Sequence, residues 1–335
     1  MHELSQMIKD DMKPALGVTE PGAIAFAVAK ARSFTKGDIK KVNVAMNSGM
    51  YKNAFTCGIP NSNKVGNMFA AALGVVAGNA DKGLESLADV TPEDNVKAQE
   101  MIDQGKITVE LSGITSRIFI EATVETEEDK AIVTIRDSHT NITKIIVNDK
   151  VELETEDEKK TEEDGGEEES HSIHKYTLQQ LYDYVTTVDI EEIRFINEAY
   201  KVNLELFHEG LENPRTTFAR QLLAINNGKE VSDDEQKTAS LMCNAAIEAR
   251  VIGLDKPAMS ITGSGAHGII ATMPLYAAYK VNGYTEEQLL RATALSYLVC
   301  MYIKEYSGRL SAFCGCAIAA GSGMACALVY LRGGT

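Results

Sequence analysis

Apolar residues recur at helical spacing at the start of the chain, where Leu4, Met7, Ile8 and Met12 share one face until Pro14 and Gly17 interrupt the pattern. Thr19 then reads as an N-cap with Pro21 in the first turn of an alanine-rich helix over 22–32. That helix is apolar nearly all round, so it should be buried. The period changes to two over 40–46, which predicts a strand. The Gly-, Asn- and Ser-rich stretch 47–64 reads as a long loop, followed by an apolar helix over 65–76 with a stop signal at Gly78-Asn79. A helix over 95–104 precedes strands at 107–111, 118–126, 131–137 and 142–147, joined by turns such as Glu127-Glu128-Asp129 and Asn148-Asp149.

From residue 177 onward the spacing is helical, over 178–188, 190–203, 214–226, 233–252, 269–282 and 285–306. Thr285 and Gln288 have the spacing of a capping box. Residues 310–331 carry no charge and lie between Arg309 and Arg332. They are small residues rather than Leu, Ile and Phe, which predicts a central helix packed on all sides and not a membrane span. The expected fold class is α+β. A mainly helical domain, 1–34 plus 170–335, should carry the substrate side. A smaller inserted domain over 35–151 should carry an antiparallel or mixed sheet, and 152–169 reads as an acidic disordered loop.

The formal net charge is −15, concentrated in that acidic tract, so the remainder is only mildly acidic. It offers no basic field for nucleic acid or anionic lipid. Six cysteines sit mostly among apolar neighbours, and residues 1–13 hold no apolar signal core. A reducing, cytoplasmic setting with buried thiols or metal ligands is expected, without a disulfide framework.

Four patterns carry the chemistry. They are Leu16-Gly17-Val18-Thr19-Glu20-Pro21, His139-Thr140-Asn141-Ile142, Gly263-Ser264-Gly265-Ala266-His267-Gly268 with Ala271-Thr272-Met273-Pro274, and Arg309-Leu310-Ser311 through Cys314. In this order, with Gly66-Asn67 through Gly74 and the final Tyr330-Leu331-Arg332-Gly333-Gly334, the chain resembles the L-cysteine desulfidase family. That family is related to the alpha part of iron–sulfur L-serine dehydratases.

The resemblance implies a [4Fe-4S] lyase that converts L-cysteine to sulfide, pyruvate and ammonia. An L-serine dehydratase using the same chemistry and a non-catalytic metabolite-binding relative are the alternatives. It implies Cys314 as a metal ligand and Thr19 and Glu20 as catalytic residues; His267, which departs from the family pattern, is a catalytic candidate on its own chemistry, as a proton acceptor whose imidazole titrates near the working pH. Ser264, Gly265, Gly268, His139, Asn141, Arg309 and Ser311 fall on the substrate side. Cys316 and Cys326 read as helix packing residues, and Cys57, Cys243 and Cys300 as core thiols.

Three departures from the family pattern stand out. Val18 occupies the place of a usual cysteine, and Ala266-His267 replaces a usual Asn-Gln. The remaining cluster ligands are expected in a Cys-Asp-Gly-Ala segment beyond Gly334, which this sequence does not include. The expected partner is a small amino-acid substrate, with no nucleic acid and no membrane. A homodimer is possible if the terminal apolar helix needs a covering surface.

Overall fold

The computed structural model describes residues 1–59, 61–115, 117–155, 173–307 and 314–334. The chain divides into two compact units, one formed by Met1–Gly17 with Glu168–Thr335 and the other by Val18–Glu167. The α+β class is as expected, but the division falls at Gly17, ahead of the alanine-rich helix and not after it at residue 34.

Among the described residues eight strands occur: β1 (Lys13–Leu16), β2 (Ile39–Asn47), β3 (Ile107–Gly113), β4 (Phe119–Thr126), β5 (Lys130–Arg136), β6 (Ile142–Val147), β7 (Lys150–Glu154) and β8 (Pro257–Ser260). In the Val18–Glu167 unit six of them form one sheet in the order β3-β2-β4-β5-β6-β7. The β2–β3 pair is parallel and the other pairs are antiparallel, so the sheet is mixed. Alternation sets its buried face: Val42, Val44 and Met46 on β2, Ile120, Ala122 and Val124 on β4, and Ala131, Val133 and Ile135 on β5. Strand β7 was not expected. The tract assigned to a loop from residue 152 is still strand through Glu154, paired with β6 across the turn at Asn148-Asp149. Residues 156–169 of that tract lie outside the described residues.

The helix Thr19–Arg32 belongs to this unit and is buried nearly all round, as its composition predicts. Its N-cap is Val18, not Thr19, and makes no side-chain capping bond. A close crossing holds it against the helix Asn67–Ala77. A Cβ at Gly74 would lie 2.7 Å from the Ala25 carbonyl oxygen, so only glycine fits there. Gly78 ends the second helix at φ −66, so it is needed for space beside Ala29 and the Gly74 carbonyl rather than for handedness. The stretch read as a long loop holds a short helix, Ser48–Ala54.

The Met1–Gly17 and Glu168–Thr335 unit is helical around a two-stranded antiparallel ribbon, in which β1 pairs β8 from Lys13↔Ser260 to Leu16↔Pro257. The break at Pro14 is therefore a strand, and it ties the N-terminal helix Glu3–Asp11 to the later half of the chain. Two apolar clusters fill the unit. One is built on Leu181, Leu290, Tyr297 and Leu298, and the other on Phe207, Leu241, Ala245 and Met273. The expected capping box is present: Gln288 N–H donates to the Thr285 hydroxyl at 3.2 Å, and Thr285 N–H donates to Gln288 Oε1 at 2.8 Å.

The terminal helix differs from its expectation. Gly321–Leu331 buries only Gly323, Ala327 and Leu331, while Val329 on the same helix is exposed. It packs on one face because its small residues admit a close crossing there: a Cβ at Gly323 would lie 2.2 Å from the Ser296 carbonyl oxygen. Among the described residues, no helix is long and apolar enough to cross a membrane.

Candidate functional site: a histidine turn with buried cations

Strand β8 ends in a two-residue turn, where Ile261 and Ser264 exchange backbone hydrogen bonds of 3.3 and 3.1 Å. Both central residues are left-handed, Thr262 at φ 53 and Gly263 at φ 70. Glycine adopts this region freely. A β-branched residue does not, and its presence costs about 1–3 kcal/mol that surrounding contacts must offset. Asp11 supplies one such contact, its carboxylate accepting the Thr262 N–H at the end of the helix that β1 anchors. The Thr262 hydroxyl donates to the Ile261 carbonyl at 2.7 Å and lies 2.6 Å from His267 Nδ1.

The turn feeds the helix Gly265–Asn282, with Ser264 as N-cap. Gly268 faces β8 so closely that a Cβ would lie 1.8 Å from the Met259 carbonyl oxygen. Helix–strand packing by itself requires glycine at this position. Gly265 leaves room for a side chain instead, because a Cβ there would lie 2.7 Å from Arg250 Nε.

His267 is 6% exposed. Burial, reinforced by the nearby Lys304 and Arg250, pulls its pKa down to about 4, so the imidazole is neutral near pH 7. Its Nε2 edge points at Gly315, where an added Cβ would lie 2.8 Å from Nε2 and 3.6 Å from the Lys304 side chain. Arg250 and Lys304 are themselves only 6% and 7% exposed. Two buried cations thus lie beside a neutral imidazole, and neither is without a partner of its own. Sequence reading missed both. Each stands near the end of its helix, Glu235–Val251 or Glu286–Ser307, where a cation is ordinary. The one available signal was a charge on an otherwise apolar helix face.

Gly315 lies between two thiols. Cys314 is exposed and Cys316 partly buried. Burial first, then the adjacent Cys314, pushes the Cys316 thiol up to about 11. Burial likewise pushes Cys300 and Cys243 up to about 12, so these three are neutral thiols. Cys316 also begins a π-helical turn, Cys316–Ala320, closed by Gly321 N–H on the Cys316 carbonyl. Such turns recur at functional sites.

Thr19 opens its helix, and Glu20 is buried, accepting a 2.8 Å hydrogen bond from Asn53. Asn141 is exposed and donates to the Arg136 carbonyl at 3.1 Å, which orders the β5–β6 turn that also carries His139. Thr19, Glu20, His139 and Asn141 all belong to the Val18–Glu167 unit. Arg309 and Ser311 lie outside the described residues. Within the helical unit, the turn unites His267, Ser264, Gly265 and Gly268, with Gly315 placing Cys314 next in the chain.

A four-iron cluster with one open iron uses three protein ligands. Among the described residues, no group of three His, Cys, Asp or Glu side chains could hold a metal. Cys314 and Cys316 are at most two donors, so the described residues alone do not fit that cluster.

The family model described as serine dehydratase alpha chain matches residues 81–335. A UPF0597 protein of Clostridium botulinum (strain Langeland) is 39% identical, covering 98% of this chain and 76% of its own. A UPF0597 protein of Caldanaerobacter subterraneus subsp. tengcongensis is 35% identical over 99% and 77%, and one of Bacteroides fragilis is 34% identical over the same shares. No solved structure matches. With most of its length matched by that family model, the chain belongs to the serine dehydratase alpha chain family.

Proposed function

We propose that this chain carries the site of an amino-acid lyase that eliminates the β-substituent of L-cysteine, releasing sulfide. The observation that carries the reading is His267, neutral and buried, with Nε2 turned to the Cys314–Gly315–Cys316 segment beside Arg250 and Lys304. The two cations receive the substrate carboxylate, and Nε2 accepts the Cα proton. The bound carboxylate offsets the positive charge that disfavours imidazolium, so the base strengthens when substrate is present. Loss of the Cα proton and of the β-sulfur as sulfide leaves aminoacrylate, which water converts to pyruvate and ammonia. L-serine is the second reading, favoured by the family to which the chain belongs, with hydroxide leaving in place of sulfide.

A [4Fe-4S] cluster held in part by Cys314 stays within the proposal, its other ligands lying outside the described residues. The test is pyruvate formation from L-cysteine and L-serine by oxygen-free protein, assayed with and without iron and sulfide reconstitution. Pyruvate from L-cysteine in excess of that from L-serine is expected. The reverse ratio selects the dehydratase, and no pyruvate in any arm removes the lyase.

A further inference from the structure

We infer that Thr262 is a positioning residue whose hydroxyl holds His267 in the tautomer protonated at Nδ1, leaving Nε2 as the bare acceptor that faces Gly315. A threonine hydroxyl has a single hydrogen; the Ile261 carbonyl 2.7 Å away can only accept it, while the neutral Cys300 thiol, which also bonds this hydroxyl, carries a hydrogen of its own to donate. With that hydrogen committed, the 2.6 Å contact between Oγ1 and His267 Nδ1 needs its proton from the ring. The opposite assignment turns the hydroxyl hydrogen to Nδ1 and sets two oxygen lone pairs against each other at 2.7 Å. Burial keeps the imidazole neutral near pH 7, so one ring nitrogen carries a proton and the other does not.

The backbone makes a second, independent case. Thr262 sits at φ 53, where glycine fits without strain. What threonine adds over glycine there is the hydroxyl, already placed on the histidine. Asp11 holds the Thr262 N–H, so the ring orientation traces back to the N-terminal helix. The use of Nε2 as proton acceptor rests on the lyase reading, whereas the tautomer does not.

The test is a two-bond proton–nitrogen correlation spectrum of the full chain labelled with 15N-histidine, near pH 7, with the His267 signals assigned by their loss in His267→Gln. The expected wild-type pattern has the proton on Nδ1. Thr262→Val, and Thr262→Gly as the variant free of backbone strain, should shift the ring toward the Nε2-protonated form. Thr262→Ser should restore the wild-type pattern and retain turnover that the other two lose. A wild-type ring protonated at Nε2, or an unchanged pattern in Thr262→Gly, overturns the inference. A ring protonated at Nδ1 in a protein that makes no pyruvate leaves the inference standing and removes only the lyase.

Discussion

Two turns in this molecule share a backbone conformation and differ in everything else. The β6–β7 hairpin turns at Asn148 and Asp149, with φ of 50 and 65, and the site turns at Thr262 and Gly263, with φ of 53 and 70. The hairpin uses residues that tolerate the left-handed region and repay it locally: Asn148 Oδ1 accepts the Lys130 N–H at 2.9 Å, and its amide donates to Asp129 at 2.8 Å. The site puts a β-branched residue in the less tolerant position and ties it to a carboxylate and an imidazole. Where conformation alone is needed, the sequence suits the conformation. Where a hydroxyl is needed at one point in space, the sequence accepts strain to place it.

The comparison breaks most readily at the histidine. His267→Gln installs the amide usual in the resembled family, and turnover should fall by about 10²–10⁴-fold if the ring is the proton acceptor. Activity within about threefold of wild type would falsify that role. Acid stability comes next. The folded-state pKa of about 4 lies below the ordinary 6.5, so the unfolded chain binds the proton first. Stability from this group is therefore complete above pH 6.5 and lost as pH falls toward 4, by about 3 kcal/mol. Denaturant melts at several pH values should show this slope in the wild type and a shallower one in His267→Gln; parallel curves count against it.

Smaller effects sharpen the contrast. Gly268→Ala forces a Cβ into the Met259 carbonyl and should cost about 1–3 kcal/mol or more, read as a lower denaturant midpoint. An unshifted midpoint would mean that helix and strand are not so closely apposed. Thr262→Gly exchanges relieved strain for a lost hydroxyl and a more flexible unfolded chain, so its stability should stay within about 1 kcal/mol of wild type while turnover drops. Asp149→Gly makes the corresponding change in the hairpin and should move stability by about 0.5 kcal/mol or less, with turnover unchanged. If the two glycine variants behave alike in turnover, the distinction between the turns is lost.

Periodicity carried much of the fold. The alternation on β4, β5 and β6, the all-round burial of Thr19–Arg32 and the Thr285 cap were legible because each rests on residues close in sequence. The ribbon of β1 with β8 was not, since its partners are some 240 residues apart and Lys13-Pro14-Ala15-Leu16 is too short to show a period. The terminal helix was misjudged because small residues look the same whether they meet a neighbour on one side or on all. At the site, the glycine loop and its histidine were visible, but Arg250, Lys304, Asp11 and Thr262 were not. Each is unremarkable in its own segment, and only the packing of three helices and a turn gives it a role.

The π-helical turn at Cys316–Ala320 is a place where the chain can change length. It amounts to one residue more than an α-helix would hold, and each residue advances a helix by about 100°. Deleting one residue here would let the backbone relax to ordinary winding. Because the turn absorbs that extra residue, such a deletion would leave Gly315 near its present phase, whereas a deletion within Gly321–Leu331 would turn the residues on either side of it out of phase by about 100°. A relative with a one-residue gap at this turn can therefore keep its glycine beside the imidazole, so the winding here tolerates a change of length that the following helix does not.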